Sequence, residues 1–462
     1  MNTAGVLRLT TAVAIVMGTA VAPPLLSAQT PATGSRPPTF TKDIAPIFQE
    51  KCEACHRPGN IGPMSLMNYE EVRPWVRSIK TRVASREMPP WHLDKGIGVQ
   101  KFINDRSLND AQMETIVRWI DAGAPQGDVK DMPPSKPWPG SDQFFLEETL
   151  GPPDLVVRAK RFTMPGRSPD VHFETDADIP LTEPRWVRAS ETRPSLAGRR
   201  IAHHSSVYML RPQSPEAIAA ERAVRAGQPG ADMVINDRRA GSSVEKEFFT
   251  EWAQGKGGEI YPENVGKLIM PGTKVHFRIH YHAVGEEISD AVEIGWWFYP
   301  KEKTPRYSAE YSALGGPADL QIPPNTVTQH QGSIVLQAPT ILHNFQPHMH
   351  YRGKVQTLEA IYPDGRREVI NQTSHFSNNW HINYIYDPDS APVFPKGTVL
   401  IVTSIHDNTA GNKSNPDPRQ WVIWGDRTVD EMAHLNEQLI YITEEDYRRI
   451  VDERRKRAST QN

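Results

Sequence analysis

From residue 156 onward the chain places apolar and polar residues in short alternating runs: VVRAKRF, KVHFRIHYH, EIGWWFY, SIVLQA, TVLIVTSI and EQLIYI. Clusters of Gly, Pro, Asn and Asp separate them. A two-residue period over such short stretches predicts strands, and the dense turn signals predict antiparallel sandwiches. The Pro/Gly-rich span GGPADLQIPP, residues 315–324, is a seam between two such units. No fixed-period repeat is visible.

Before these runs the period changes. Residues 39–127 read as a small helical domain, with its clearest element after Leu108. There Asn109 can cap a helix with Gln112 reaching back, and Met113, Ile116, Val117 and Ile120 share one apolar face. Gly123 stops the helix and Pro125 prevents its resumption. The proline-rich DMPPSKPWPGSD, ending at Asp142, reads as a semi-rigid linker. The DERRKR run at residues 452–457 reads as a solvated helix end.

At 462 residues the chain exceeds one core, and 38% apolar content with 41 prolines suits globular, loop-rich, β-rich domains. A net charge of −3 gives no reason to expect nucleic acid or an acidic membrane surface. Arg8, an apolar run over residues 9–22 and small residues at 25–28 predict a secretory signal over residues 1–28. That run is too short and too rich in Ala and Thr for a membrane span. The expected location is periplasmic or secreted.

The two cysteines fall in Cys52-Glu53-Ala54-Cys55-His56. C-x-x-C-H is the attachment pattern of a c-type haem, with both thiols bonded to the porphyrin and His56 on the iron. Met88, in REMPPW, is the expected second axial ligand, since a thioether raises the haem potential and suits electron transfer. Met64, Met67 and Met113 compete for that role, and Met113 belongs to the helix face. The CxxCH start, the MPPW element and the closing RWIDAGAP helix together resemble the small cytochrome c modules that bacteria fuse to exported enzymes.

Most of the 16 histidines lie beyond this segment. His203 and His204 form one cluster, His276, His280 and His282 a second, and His343, His348 and His350 a third. Side chains two apart on a strand share a face, so His280 and His282 project together, as do His348 and His350. Adjacent His203 and His204 point apart on a regular strand, and both can reach one ion only at a bulge or strand end. No cysteine remains for thiolate zinc or iron–sulfur, and imidazoles with few carboxylates suit copper or zinc. A redox metal explains the haem; zinc does not.

The ordered segments IAHHSSVYM, EWAQGKGGEIYPENVG…FRIHYH, PHMHYRGK, IHDNT and GDRTVDEM resemble the type II copper, ascorbate-dependent monooxygenases, the peptidylglycine α-hydroxylating and dopamine β-monooxygenase enzymes. The resemblance covers residues 153–447. It implies a mainly β fold of two tandem jelly-roll domains, here behind a small all-α cytochrome c domain, with one copper in each and a solvent-filled cleft between. His203, His204 and His280 match the electron-supplying copper. His348, His350 and Met432 match the copper where dioxygen and substrate react; His282 is a spare on its strand face. The implied divisions are a haem domain at 29–129, a linker at 130–152, copper domains at 153–315 and 316–447, and a charged tail at 448–462.

Departures from the family narrow the substrate. The peptide-amidating branch has an Arg where Gln346 stands, and an Asn and a Tyr where His434 and Asn436 stand. Without a cation at that anchor a carboxylate-tipped peptide loses its charge-assisted pairing. Arg278 replaces a Gln associated with the inter-copper relay, and the family's disulfides are absent. The expected enzyme therefore holds two copper ions and one haem c. It takes O2, a small organic substrate and electrons from an external donor. The alternatives are a non-catalytic haem–copper carrier or sensor and a zinc hydrolase, for which no general base is evident.

Overall fold

The computed structural model describes residues 36–138, 140, 142–236, 244–254, 256–316 and 319–460; the expected signal sequence lies outside them. Strand makes up 33% and helix 20%, so the fold is mainly β, in several sheets of which none closes. Among the described residues no helix is long and apolar enough to cross a membrane.

The histidine-rich strand Lys274–Tyr281 lies in a four-stranded sheet between Val171–Asp178 and Ala202–Pro212, with Val244–Ala253 at the far edge. The strands Val327–Val335, Val399–Asp407, Gly353–Ile361 and Arg367–Thr373 form a second four-stranded sheet in that order. Behind both runs one long sheet. Tyr307–Leu314 is its hinge, pairing parallel with Val265–Ile269 on one side and antiparallel with His434–Tyr441 on the other. Each four-stranded sheet covers its own half of the long sheet. Val207, Met209 and Phe277 of the first pack with Ile294 and Trp296, while Leu358 and Val402 of the second pack with Leu342 and Leu439. The alternating runs thus become strands with one face buried, as the period requires.

The helix Asp110–Asp121 carries the expected capping box between Asn109 and Gln112. Its buried face is Ile116 with Trp119, and Met113 and Ile120 pack partly against the same core as Phe40, Phe48, Val72 and Val83. Trp119 extends the expected stripe because its indole N–H also donates to the Pro125 carbonyl at 3.0 Å.

A helical domain held apart by a spacer is not what the chain forms. All described residues from Pro38 onward make one compact unit. Trp91, Leu93, Val99 and Phe102, which follow Met88, pack into the core of the second four-stranded sheet. Asp94 accepts from Gln372 and Ser374, each at 2.7 Å, and the Asn104 side chain donates to the Asn383 carbonyl at 2.6 Å. The linker is pinned too. Trp138 donates to Glu53 at 2.9 Å and lies under the Arg57 guanidinium, so it rests on the CxxCH motif. Isolated apolar residues without a period gave no sequence signal for this docking.

Charged groups are buried where the halves meet. Lys256 pairs with Glu259 at 2.9 Å and Asn383 donates to Glu259 at 3.3 Å, whereas the Arg278–Asp426 pair at 2.9 Å lies at the surface. Lys267, 3% exposed, donates to the Phe249 carbonyl, and burial pulls its ammonium down to about 8 against Glu259, Glu247 and Glu310. Between pH 8 and the ordinary lysine value of 10.5 the unfolded chain therefore binds the extra proton. Stability from this group should rise with pH across that window and stay level below it. Denaturant titrations of wild type against Lys267→Met should diverge there by up to about 1.4 kcal/mol per pH unit. A pH-independent difference would contradict it.

Candidate metal and haem centre

The first site is assembled by a strand irregularity. Along the pairing of Ala202–Pro212 with Lys274–Tyr281, Ala202 opposes Tyr281 and His204 opposes His280, so the register slips at His203. The extra residue turns two neighbouring side chains to one side, the condition that adjacency demanded. His203 Nδ1 and His204 Nδ1 lie 3.1 Å apart, and with His280 the three residues offer nitrogens all within 4.8 Å of one another. Asp170 holds His280 through Nε2 at 3.0 Å, leaving the buried Nδ1 with no hydrogen-bond partner. A carboxylate on the far nitrogen fixes tautomer and ring angle, which is how metal-binding imidazoles are usually held.

His282 lies beyond the strand end, where its backbone N–H donates to the Ile201 carbonyl, and it is not in the triad. His276 faces Asp176 and Glu174. The sequence reading missed His172. It opposes His280 across the neighbouring strand pair and stacks on it with ring centres 4.5 Å apart. Its signal, a cross-strand register, exists only once the strands pair.

At the second site His348 and His350 have ring centres 5.5 Å apart. His350 is 6% exposed, and its Nδ1 lies 3.1 Å from the Asp430 carbonyl. The buried Glu431 carboxylate accepts from the backbone N–H groups of His350 at 2.8 Å, Arg352 at 2.6 Å and Met432 at 3.3 Å. Arg352 in turn donates to Asn408 at 2.9 Å, and the Met432 carbonyl lies 3.1 Å from His406 Nε2. The segments PHMHYRGK, IHDNT and GDRTVDEM therefore meet around Glu431 and Arg352. Met432 is tied by its backbone to the turn that carries His350 and is half-buried.

His343 is not part of this group. It is buried beside Glu259 and Lys267, with its ring 6.0 Å from that of Tyr261. Gln346 donates to Glu251 and accepts from Lys256 at 3.4 Å, and Asn436 accepts from Tyr311 at 2.8 Å. Those departures from the amidating branch serve the seam between the halves. Nor does a wide cleft separate the two groups. His381 has its ring centre 4.9 Å from His348, 6.5 Å from His203 and 6.4 Å from His204.

Burial first, and neighbouring imidazoles after it, lower His203, His204, His348, His350 and His434. His203, His350 and His434 fall to about 4, and His204 and His348 fall well below the usual value. Neutral imidazoles keep their lone pairs for a metal. The donor set therefore suits copper or zinc at the first triad, and at His348 and His350 two neutral rings await further donors.

In the helical segment the His56 Nδ1 lies 3.2 Å from the Met64 carbonyl, an arrangement that directs Nε2 outward for an iron. The two thiols are not joined to each other, and burial pushes the Cys52 thiol up to about 12. Met88 lines a small cavity with Met113, Leu108, Trp91 and Val83. None of Cys52, Cys55 and His56 lines that cavity, so the residues present that suit a haem are the two thiols and His56, and Met88 is not brought to them. A Cβ at Gly62 would come within 2.6 Å of the His56 ring. Gly62→Ala should therefore leave covalent haem attached but displace its histidine ligand, read as a shifted Soret band and altered potential; unchanged spectra would contradict it.

No protein-family profile matches the chain, and no curated protein matches it. Among solved structures, a candidate α-L-fucosidase from Bacteroides ovatus is 8% identical, over 71% of this chain and 43% of its own, with a TM-score of 0.17. A structure of infectious bursal disease virus, Gt strain, is 7% identical, over 64% of this chain and 76% of its own, with a TM-score of 0.15.

Proposed function

We propose that the chain is an exported haem- and copper-containing monooxygenase that hydroxylates a C–H bond of a small organic substrate. In this reading it has two tandem jelly-roll domains behind a cytochrome c domain. His203, His204 and His280 hold one copper, and His348, His350 and Met432 the other. Cys52, Cys55, His56 and Met88 hold the haem. The observation that carries the reading is the strand slip at His203, which gathers three imidazoles around one point while Asp170 orients the third.

When bound, the metals would supply one-electron transfer and O2 binding, which imidazole and thioether groups lack. The protein's part is positional. Asp170 fixes the His280 ring, Glu431 holds the backbone of His350 and Met432, and buried surroundings keep the rings neutral. Overall, substrate, O2, two electrons and two protons give hydroxylated product and water. An external periplasmic reductant or an ascorbate-like molecule supplies the electrons through the haem.

The short approach of the two histidine groups through His381 favours one alternative, a non-catalytic electron-transfer or redox-sensing protein. Electron exchange needs only proximity, whereas hydroxylation also needs room for substrate beside His348. Oxygen uptake separates the two. Loaded protein with a reductant should consume one O2 per hydroxylated product, and Met432→Ala should abolish this with its haem spectrum intact. Reversible metal redox cycling without substrate-linked uptake across a broad panel would favour the carrier.

A further inference from the structure

We infer that His381 is a ligand of the second metal site beside His348, a residue that the copper-binding motifs of the sequence do not contain. The inference rests on the copper reading and adds a residue to it. His381 follows the Asn-rich stretch SNNW and belongs to no strand.

One nitrogen-to-nitrogen spacing repeats a spacing of the first triad. His348 Nδ1 and His381 Nδ1 lie 3.2 Å apart, as His203 Nδ1 and His204 Nδ1 lie 3.1 Å apart. Two neutral imidazoles facing each other nitrogen to nitrogen can share a proton or a metal ion, and in the first site a third histidine converges on the same point. His381 is only 6% exposed, and its Nε2 is buried without a hydrogen-bond partner. His434 differs. It stacks almost flat on His348, with ring centres 4.8 Å apart and planes 24° from parallel, so it presents a ring face rather than a lone pair. His434 packs; His381 aims.

Donor supply points the same way. His350 has Nδ1 on the Asp430 carbonyl, leaving one nitrogen, and among the described residues only the first triad brings three donor atoms within 4.8 Å. His381 places a second nitrogen 3.2 Å from that of His348, although the nitrogens of His348, His350 and His381 do not all gather within 4.8 Å as those of the first triad do. Imidazole donors suit a copper ion over magnesium or calcium. Because the His381 ring also meets His203 and His204, the inferred ligand places the two sites in contact through one side chain.

The test uses full-length, haem-loaded protein titrated with Cu(I) under a competing chelator, with X-ray absorption to count nitrogen ligands. Wild type should bind two coppers. His381→Phe should keep the first and weaken the second by about tenfold or more, with fewer nitrogen ligands per copper. His434→Phe should retain both affinities. Should His381→Phe fold poorly, His381→Gly with added imidazole regains the second copper if the ring is a ligand and does not if its role is packing. Wild-type affinity for both coppers in His381→Phe overturns this inference alone, whereas a wild type that binds no copper overturns the copper reading with it.

Discussion

Replacing His280 by alanine should abolish copper binding at the first site and stop substrate-linked oxygen uptake, with haem content unchanged. His280 is the one ring of the triad held by a carboxylate, and its free Nδ1 has no other partner. Its loss removes a donor atom and releases the other two rings, which already crowd each other at 3.1 Å. Removing an outer partner of a metal-binding histidine costs about 10–100-fold in affinity. That is the loss expected for Asp170→Ala, and His280→Ala should exceed it. Chelator competition measures both. Asp170 is largely exposed, so its variant should fold normally and report on orientation alone. Equal copper affinity in wild type and His280→Ala would contradict this assignment.

Glu431→Ala should be the most destabilising single change near the second site. Its carboxylate is fully buried and accepts three backbone N–H groups that no other acceptor serves at these distances. Each buried donor left unpaired costs about 1–3 kcal/mol, so a loss on the order of 3 kcal/mol is expected. Burial raises this carboxyl to about 7, so near neutral pH it is partly protonated. Glu431→Gln keeps one acceptor oxygen and resembles the protonated form, and should lose less than Glu431→Ala. With the tie between His350 and Met432 cut, the second copper should bind more weakly and the first normally. Denaturant unfolding and copper titration together check this. An alanine variant with wild-type stability would show that the three contacts are dispensable.

Local signals carried much of this structure. The alternating runs became strands, and the Asn109–Gln112 capping box opened its helix where the residues specified. The adjacency of His203 and His204 posed a geometric condition, and the slip at His203 meets it. What escaped the sequence depends on distant partners. The parallel contact of Tyr307 with Val265 joins both halves into one sheet, and nothing in either segment encodes it. His172 and His381 stand alone in sequence and acquire neighbours only through pairing and loop placement. The docking of Trp91, Leu93, Val99 and Phe102 follows from scattered apolar residues that look like loop. Within the expected spacer DMPPSKPWPGSD one tryptophan, Trp138, finds a buried carboxylate partner in Glu53, a contact that no local pattern encodes.

The most direct measurement is the number of copper ions and haems per chain in protein matured with covalent haem attachment. Elemental analysis and haem absorbance give both values. Two coppers and one haem per chain are expected, with one copper lost in His280→Ala. Haem without copper, or zinc in its place, would contradict the histidine sites as a copper monooxygenase centre.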